Sequence, residues 1–427
     1  EKLPISRTEK EFNVKVLDPT CGSGIFLVES FKRLVKRHEN ANSEKLTDFN
    51  ELKKLLTDNI FGIEIHPQSI KVAAFSLYLA LVDNLNPKTI WQNKDYRLPY
   101  LINDLSDDTL VEQGNNLFRT DTIKENPEIE KIDFDLVVGN PPFGTKNLSR
   151  SIRDYSDKYG FAKEMVLPFL HKATKLSANG EIALIFNTKV LTNTNGKYQS
   201  FREWLFNECY VEKIYNFSIL RKVPEDFGGQ LFGSATGPIS IIFYRKNAPK
   251  KKSDTIIYYA PKTYIKSNVI EGVSIDSTDL KYLPREECQK PSTKIWKVAM
   301  WGGMSDFDII KRISKKTVSM ETFLKNTENG WDLPRAGLNG DREHLDFIPE
   351  QVINSRYIQR FYTPSDALQK NEKYFRNIDK NLFEPPFVLF KKGQKNRKLT
   401  ASYIDYFAYC TTACYVFSGN ALGLGKK

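Results

Sequence analysis

Apolar positions up to residue 245 fall in short runs that alternate with helically spaced stretches. Residues 14–18, Val-Lys-Val-Leu-Asp, read as a short buried strand. A glycine-bearing turn follows at 19–24, then a helical pattern from Ile25 to about Arg37, with Phe26, Leu27, Phe31, Leu34 and Val35 on one face. A polar stretch at 38–50 breaks it. Residues 60–65, Ile-Phe-Gly-Ile-Glu-Ile, form a second strand, followed by an Ala- and Leu-rich helix near 67–84. A short strand and turn lie at 115–123, and residues 134–139 make a buried strand. Helical spacing at 162–177 and 198–208 then alternates with strands at 181–187, near 211–217 and at 238–245.

Strands alternating with helices imply an α/β fold with a parallel, doubly wound sheet, which binds ligands at the strand carboxyl ends. The periodicity breaks at 246–252, Lys-Asn-Ala-Pro-Lys-Lys-Lys, which reads as a linker. Beyond it come short strands, many Tyr and Phe, and basic clusters, so two domains are expected, 1–248 and a basic α+β region at 249–427.

Charge sharpens that division. The 427 residues carry a net +11. Residues 1–250 hold 34 basic and 32 acidic side chains (+2), and residues 251–427 hold 29 and 20 (+9). A near-neutral module joined to a basic one favours a polyanionic partner for the second. An apolar content of 40% excludes disorder as the main state. Five scattered cysteines argue against a disulfide framework and fit a reducing, cytoplasmic compartment. Cys410 and Cys414 have no second Cys/His pair nearby, so no metal is expected. No run of eighteen apolar residues indicates a membrane span. The chain begins with Glu1 and ends in Gly423-Leu424-Gly425-Lys426-Lys427, so missing segments are expected at both ends.

Asp18-Pro19-Thr20-Cys21-Gly22-Ser23-Gly24 follows a strand and opens a helix. Glycines let the backbone approach a ligand closely, and the helix start offers free N–H groups. The segment lacks the third glycine of the dinucleotide fingerprint and the Gly-Lys-Ser/Thr of a phosphate loop. Asp18 would repel a pyrophosphate but could pair with a cationic group such as an amino acid's amine. Glu64, at the end of the second strand, can take both hydroxyls of a ribose. Helix capping is the competing role for both carboxylates.

Residues 135–144 end a buried strand in Asn140-Pro141-Pro142-Phe143-Gly144. The prolines fix φ and donate no hydrogen bonds, which makes the loop stiff and rich in acceptors. The Asn140 side-chain carbonyl and the Pro141 backbone carbonyl could accept both hydrogens of an exocyclic amine, and Phe143 could stack on a flat ring. Two acceptors would stabilise positive charge developing on that nitrogen, which suits methylation of a base amine. A simple proline turn after a strand is the alternative.

Leu17 to Leu27, Ile60 to Ile65 and Asn140-Pro141-Pro142-Phe143 together resemble the gamma-class adenine-N6 DNA methyltransferases, most of all the Eco57I-type restriction–modification enzymes. The resemblance covers roughly residues 12–245 and continues more weakly through Trp301-Gly302-Gly303-Met304 and residues 387–393. It implies a Rossmann-like methyltransferase sheet followed by a target-recognition domain, with bound S-adenosylmethionine. In that pattern Asp18 lies near the cofactor's amino-acid moiety, Thr20, Gly22 and Gly24 line the turn, and Glu64 takes the ribose. Ile65 packs on the adenine, and Asp121 accepts from its amine, a solvated turn being the alternative for that residue. Phe232 is similar in placement to the aromatic that stacks on a flipped target base, with Phe227 as the rival. The family also has a cofactor motif upstream of the turn, and none is found in the 17 residues before Asp18.

Lys311 and Arg312 with Lys315 and Lys316, Arg356 with Arg360, and Lys391, Lys392 and Arg397 form three basic clusters suited to phosphate contacts. A solvated basic face is the bland reading of each. The expectation is an adenine methyltransferase acting on duplex DNA, with any nuclease domain or subunit outside this chain and no membrane partner. The alternatives are methylation of an RNA guanine or a release-factor glutamine, or a non-catalytic DNA-binding specificity subunit on the same scaffold.

Overall fold

Strand β1 (Val16–Asp18) is buried along its whole length in the middle of a ten-stranded sheet. The computed structural model describes residues 12–88, 93, 95–107, 109–218, 237–263, 273–274, 276–318, 322, 351–370, 383–392, 399–410 and 413–418. Helix α1 (Ile25–Asn42) follows β1, and α2 (Phe49–Asn59) leads into β2 (Ile60–Glu64) and α3 (Pro67–Val82). The sheet continues with β3 (Ile102–Asn103), β4 (Leu117–Arg119), β5 (Leu136–Gly139), β6 (Glu181–Asn187), β7 (Tyr210–Asn216), β8 (Ile239–Arg245) and β9 (Thr255–Tyr259). β10 (Lys262–Thr263) and β11 (Val273–Ser274) pair separately, and β12 (Leu280–Pro284) closes one edge.

The strand order is β12-β9-β7-β8-β6-β5-β1-β2-β4-β3. β3, β4, β2, β1, β5 and β6 run parallel. β8 runs antiparallel between β6 and β7, and β12 is antiparallel to β9, so the sheet is mixed rather than purely parallel. Side chains alternate between two apolar layers, as the strand period requires. On one face Leu27 and Phe31 of α1, Leu52 and Leu56 of α2, and Ala73 and Leu77 of α3 pack with Val16 and Ile60. On the other, Val137, Leu184, Phe186 and Ile242 pack under Leu170 of the helix Val166–Leu176, Phe201 of the helix Gly196–Glu208 and Trp296 of the helix Lys294–Trp301.

The polar stretch at 38–50 differs from its reading as a break. α1 runs on to Asn42, and Asp48 caps α2 by accepting the Glu51 N–H at 2.9 Å. The chain divides into compact units at 308/309 rather than at 248/249. The reason is sheet pairing: β9 lies parallel to β7 and β12 pairs with β9, so residues past 248 extend the first sheet. Trp296, only 1% exposed, then anchors the helix Lys294–Trp301 in the same core.

The second unit, 309–427, has two small sheets. β13 (Gln351–Ile353) lies between β15 (Leu368–Lys370) and β18 (Tyr409–Cys410). The other sheet has the order β14 (Phe361–Tyr362), β17 (Ala401–Ile404), β16 (Phe387–Lys391), β19 (Cys414–Ser418). Val352, Ile353, Phe383, Phe387, Leu389, Ile404 and Val416 form its core. Cys410 and Cys414 are buried there and are not joined in a disulfide. Among the described residues no group of side chains could hold a metal ion, and no helix is long and apolar enough to cross a membrane.

Phe186 is fully buried at the centre of the larger core. Phe186→Ala is expected to destabilise the first unit by about 3–5 kcal/mol. Denaturant unfolding followed by tryptophan fluorescence checks it through a lower midpoint.

Candidate active site at the carboxyl ends of the central strands

From β1 the chain goes to β2 and β4 on one side, then crosses to β5 on the other. Sheets of this kind take ligands at such a reversal, at the carboxyl ends of β1 and β5. Asp18 ends β1, Glu64 ends β2, Asp121 follows β4 by two residues, and Asn140 directly follows β5. The fold therefore brings these four to one end of the sheet.

Asp18 is 1% exposed. One of its oxygens accepts the Thr20 N–H at 2.9 Å. Burial outweighs that bond and, with the Glu64 charge nearby, pushes the carboxyl up to about 7 from its ordinary 3.8. Gly139 makes room for it: a Cβ there would stand 2.6 Å from Asp18 Oδ1. Burial, Asp18 and Glu64 likewise push the Cys21 thiol far up, so it stays a neutral packing group.

Glu64 acts first on the protein itself. Its Oε2 accepts the Gly22 N–H at 2.9 Å and its Oε1 the His66 N–H at 2.8 Å, so one carboxylate holds both the Gly-rich turn and the start of α3. Each oxygen keeps a further lone pair for a ligand. The turn closes with the Gly24 N–H on the Cys21 carbonyl at 2.8 Å. Gly24 has φ 86° and packs against α3, since a Cβ would lie 3.1 Å from both Cα and Cβ of Ala73. A side chain would therefore meet both strain and helix backbone there.

Thr20 Oγ1 and Asn140 Oδ1 are buried with no hydrogen-bond partner. A buried acceptor left unmade costs about 1–3 kcal/mol, which a ligand could recover. Pro141 is buried, Pro142 exposed, and Phe143 half-buried against the larger core. Ile65 is 54% exposed, unusual for an apolar residue beside a strand end. Asp121 is committed to the protein: Oδ1 accepts the Ile123 N–H at 3.0 Å and Oδ2 the Ser151 hydroxyl at 2.6 Å.

Sequence reasoning missed Thr122, whose hydroxyl donates to the Pro19 carbonyl and ties the β4 turn to the Gly-rich turn. It also missed Ser151 and the buried Glu164, whose carboxylate accepts the Gly144 N–H. Their partners lie 103, 30 and 20 residues away, so no local pattern marks them. Phe232, Phe227 and Arg397 lie outside the described residues.

Residues 58–223 match the family model described as Eco57I restriction-modification methylase. The chain is 26% identical over 331 residues to a protein of Streptomyces coelicolor named adenine-specific methyltransferase PglX, covering 71% of this chain and 26% of that protein. It is 24% identical over 278 residues to the type II restriction enzyme and methyltransferase RM.Eco57I of Escherichia coli, covering 60% of this chain and 26% of that one. The chain thus spans about a quarter of the length of either relative. Among solved structures, the type IIL restriction-modification enzyme MmeI in complex with DNA superposes with a TM-score of 0.56 at 14% identity, covering 96% of this chain and 57% of that chain.

The likeness to that enzyme is one of fold, an α/β fold built here on a central sheet whose strand order reverses between β1 and β5. The similarity to the Eco57I restriction-modification methylase family is carried by residues 58–223.

The raised Asp18 pKa has a consequence for stability. The unfolded carboxyl loses its proton near 3.8 while the folded one keeps it to about 7, so across that window stability falls as pH rises. Asp18→Asn, which keeps an acceptor for the Thr20 N–H, is expected to gain on wild type from pH 4 to 7, by up to about 4 kcal/mol. Urea unfolding of both proteins at pH 4, 5.5 and 7.5 checks it; parallel pH curves would contradict it.

Proposed function

We propose that the chain transfers a methyl group from S-adenosylmethionine to N6 of adenine in duplex DNA, as part of a restriction–modification or phage-defence system. The observation that carries this reading is the buried, unpartnered Asn140 Oδ1 one residue beyond β5, beside the strand that carries the buried Asp18. An acceptor kept dry and unsatisfied is poised for a donor that arrives with the substrate.

The residues present fit the cofactor. Asp18 is a buried carboxylate that, beyond the Thr20 N–H it already accepts, suits a cationic group such as an ammonium. Thr20 Oγ1 is an orphaned polar atom in the turn, and Glu64 offers two oxygens for a ribose diol. The exposed Ile65 provides an apolar surface for the adenine, and Asp121 is in place beyond β4. When bound, S-adenosylmethionine supplies an electrophilic methyl group on a sulfonium.

Asn140 Oδ1 and the Pro141 carbonyl accept the two amine hydrogens of the target base. Held this way, the nitrogen lone pair is drawn out of conjugation, and the positive charge that develops there meets two acceptors. Pro141 and Pro142 have no N–H to compete for them. Phe143, half-exposed, stacks on the base, and Phe232 is the proposed second wall. An adenine reaches this crevice by leaving the duplex stack, at a cost of a few kcal/mol.

The second unit supplies affinity. Residues 309–427 hold 20 basic and 12 acidic side chains, 20 − 12 = +8 of the net +11. Arg356 and Arg360 are exposed among Tyr357, Phe361, Tyr362 and Tyr403, and the Arg360 guanidinium stacks 4.8 Å from the Phe361 ring. Lys311, Arg312, Lys391, Lys392 and Arg397 complete the proposed phosphate contacts. Base-reading residues are set by groove geometry.

Two measurements test the proposal. Labelled S-adenosylmethionine with mixed-sequence unmethylated DNA, digested to nucleosides, is expected to give N6-methyladenine, and Asn140→Ala to lower the rate by about 10²–10³-fold. Label in an RNA guanine or a protein glutamine instead would overturn it. Second, the ammonium needs Asp18 ionised, so S-adenosylmethionine affinity is expected to weaken by up to about tenfold per pH unit below 7. Calorimetric titration from pH 5.5 to 8.5 reads this, and Asp18→Asn should bind weakly with that slope gone.

A further inference from the structure

The Asn140–Gly144 loop is held by more than its prolines. Glu164 lies between the helices Arg150–Tyr159 and Val166–Leu176 and is fully buried. Its Oε1 accepts the Gly144 N–H at 2.7 Å. Its Oε2 accepts the Tyr198 hydroxyl at 3.0 Å and pairs with the Lys189 ammonium. The backbone adds a return bond, the Met165 N–H donating to the Gly144 carbonyl at 2.9 Å. Lys189 opens the short helix directly after β6, and Tyr198 lies in the first turn of the helix Gly196–Glu208. One carboxylate therefore ties the loop after β5 to the segment after β6.

An ion pair with a buried member is often replaceable by apolar residues of similar volume at no cost in stability, so conformational specificity is the better account of the fully buried Glu164 and its partly exposed partner Lys189. The oxygen facing the loop also meets a backbone N–H, which fixes where the chain runs rather than which side chain it carries. A strand end already sets the position of Asn140. The opposite end of the loop, beyond Phe143, has Gly144 as its anchor, and Gly144 is held by Glu164.

We infer that Glu164 is a positioning residue: it fixes the Asn140–Phe143 loop in the conformation that presents both acceptors and the aromatic ring, with Lys189 and Tyr198 fixing Glu164 in turn. The consequence for rate rests on the methyl-transfer reading above, whereas the tether itself does not. Misplacing a reactive group by about 1 Å can cost ~10²-fold in rate while leaving binding intact.

Glu164→Gln is nearly isosteric and keeps an acceptor for the Gly144 N–H but loses the charge that Lys189 meets. Tyr198→Phe removes one hydroxyl and keeps the packing, so it provides a second variant that folds. In the full chain, with S-adenosylmethionine and mixed-sequence unmethylated DNA, Glu164→Gln is expected to lower kcat by about 10²-fold with KM for both substrates unchanged. Tyr198→Phe is expected to do the same to a smaller degree. Hydrogen–deuterium exchange without ligand is expected to quicken in peptides covering 140–147 and to stay as in wild type over 14–24. Wild-type exchange at 140–147 in both variants would overturn the tether. A lower melting temperature with unchanged kcat per folded molecule would reduce Glu164 to a structural role and overturn its positioning role. Should the wild type transfer no methyl group to adenine, the proposed reaction falls, and faster exchange at 140–147 in Glu164→Gln still supports the tether.

Discussion

β1 has β2 on one side and β5 on the other, and the chain fills the β2 side first before crossing back to lay down β5. A reversal of strand order of this kind is where open α/β sheets take ligands, at the carboxyl ends of the two flanking strands. Everything chemically distinctive in the first unit follows from that reversal. Asp18 is buried because β1 is central, and Asn140 is beside it because β5 is the neighbouring strand. Glu64 reaches the Gly-rich turn because β2 flanks β1 on the other side. Moving β5 to the far edge would leave the same residues with no common site.

The crevice is assembled from carboxylates that serve the backbone before they serve a ligand. Glu64 takes two backbone N–H groups and Asp121 one, and Glu164 takes another from the Asn140 loop. Charge-assisted bonds of this type are roughly twice as strong as neutral ones, so they hold three turns without extended secondary structure. Against this rigid frame two oxygens, Thr20 Oγ1 and Asn140 Oδ1, stand unpaired. An unpaired buried oxygen in a loose loop would turn to find a partner. In a fixed loop it stays available, which links the tether at Glu164 to the vacancy at Asn140.

Much of this was legible in the residues. The strand at 181–187 coincides with β6, and the strand–turn–helix at 14–37 with β1, the turn and most of α1. Those elements have local signals: a run of apolar residues, a glycine after a strand, a period near 3.6. The Asp18, Glu64 and Asn140 placements were legible for the same reason, since each ends a readable strand. α2 escaped because Glu51, Lys53 and Lys54 on its outer side masked Phe49, Leu52, Leu55 and Leu56 beneath. The boundary at 308 escaped because β9, just past the basic stretch at 246–252, pairs back across it to β7, and β12 then pairs with β9. Glu164 escaped because a buried carboxylate between two helices looks, in sequence, like any solvated turn.

The acidity of the crevice bears on why a second unit is needed at all. Acidic side chains gather at the end of the sheet where the site lies, Glu64 and Asp121 with Asp18 between them, and residues 1–308 hold only +3 of the net +11, the rest lying in 309–427. On the proposed function, a crevice that takes a cationic sulfonium is by the same token poorly suited to attract a polyanion. Long-range attraction to phosphates scales with the positive charge available and falls with salt, so it has to come from elsewhere in the chain. The +8 of the second unit, with arginines exposed among aromatic rings, is charge of the required sign and size. On the proposed function, separating the two tasks would let each unit keep the electrostatics its own ligand demands: carboxylates for a cation in one, a basic aromatic surface for a nucleic acid in the other.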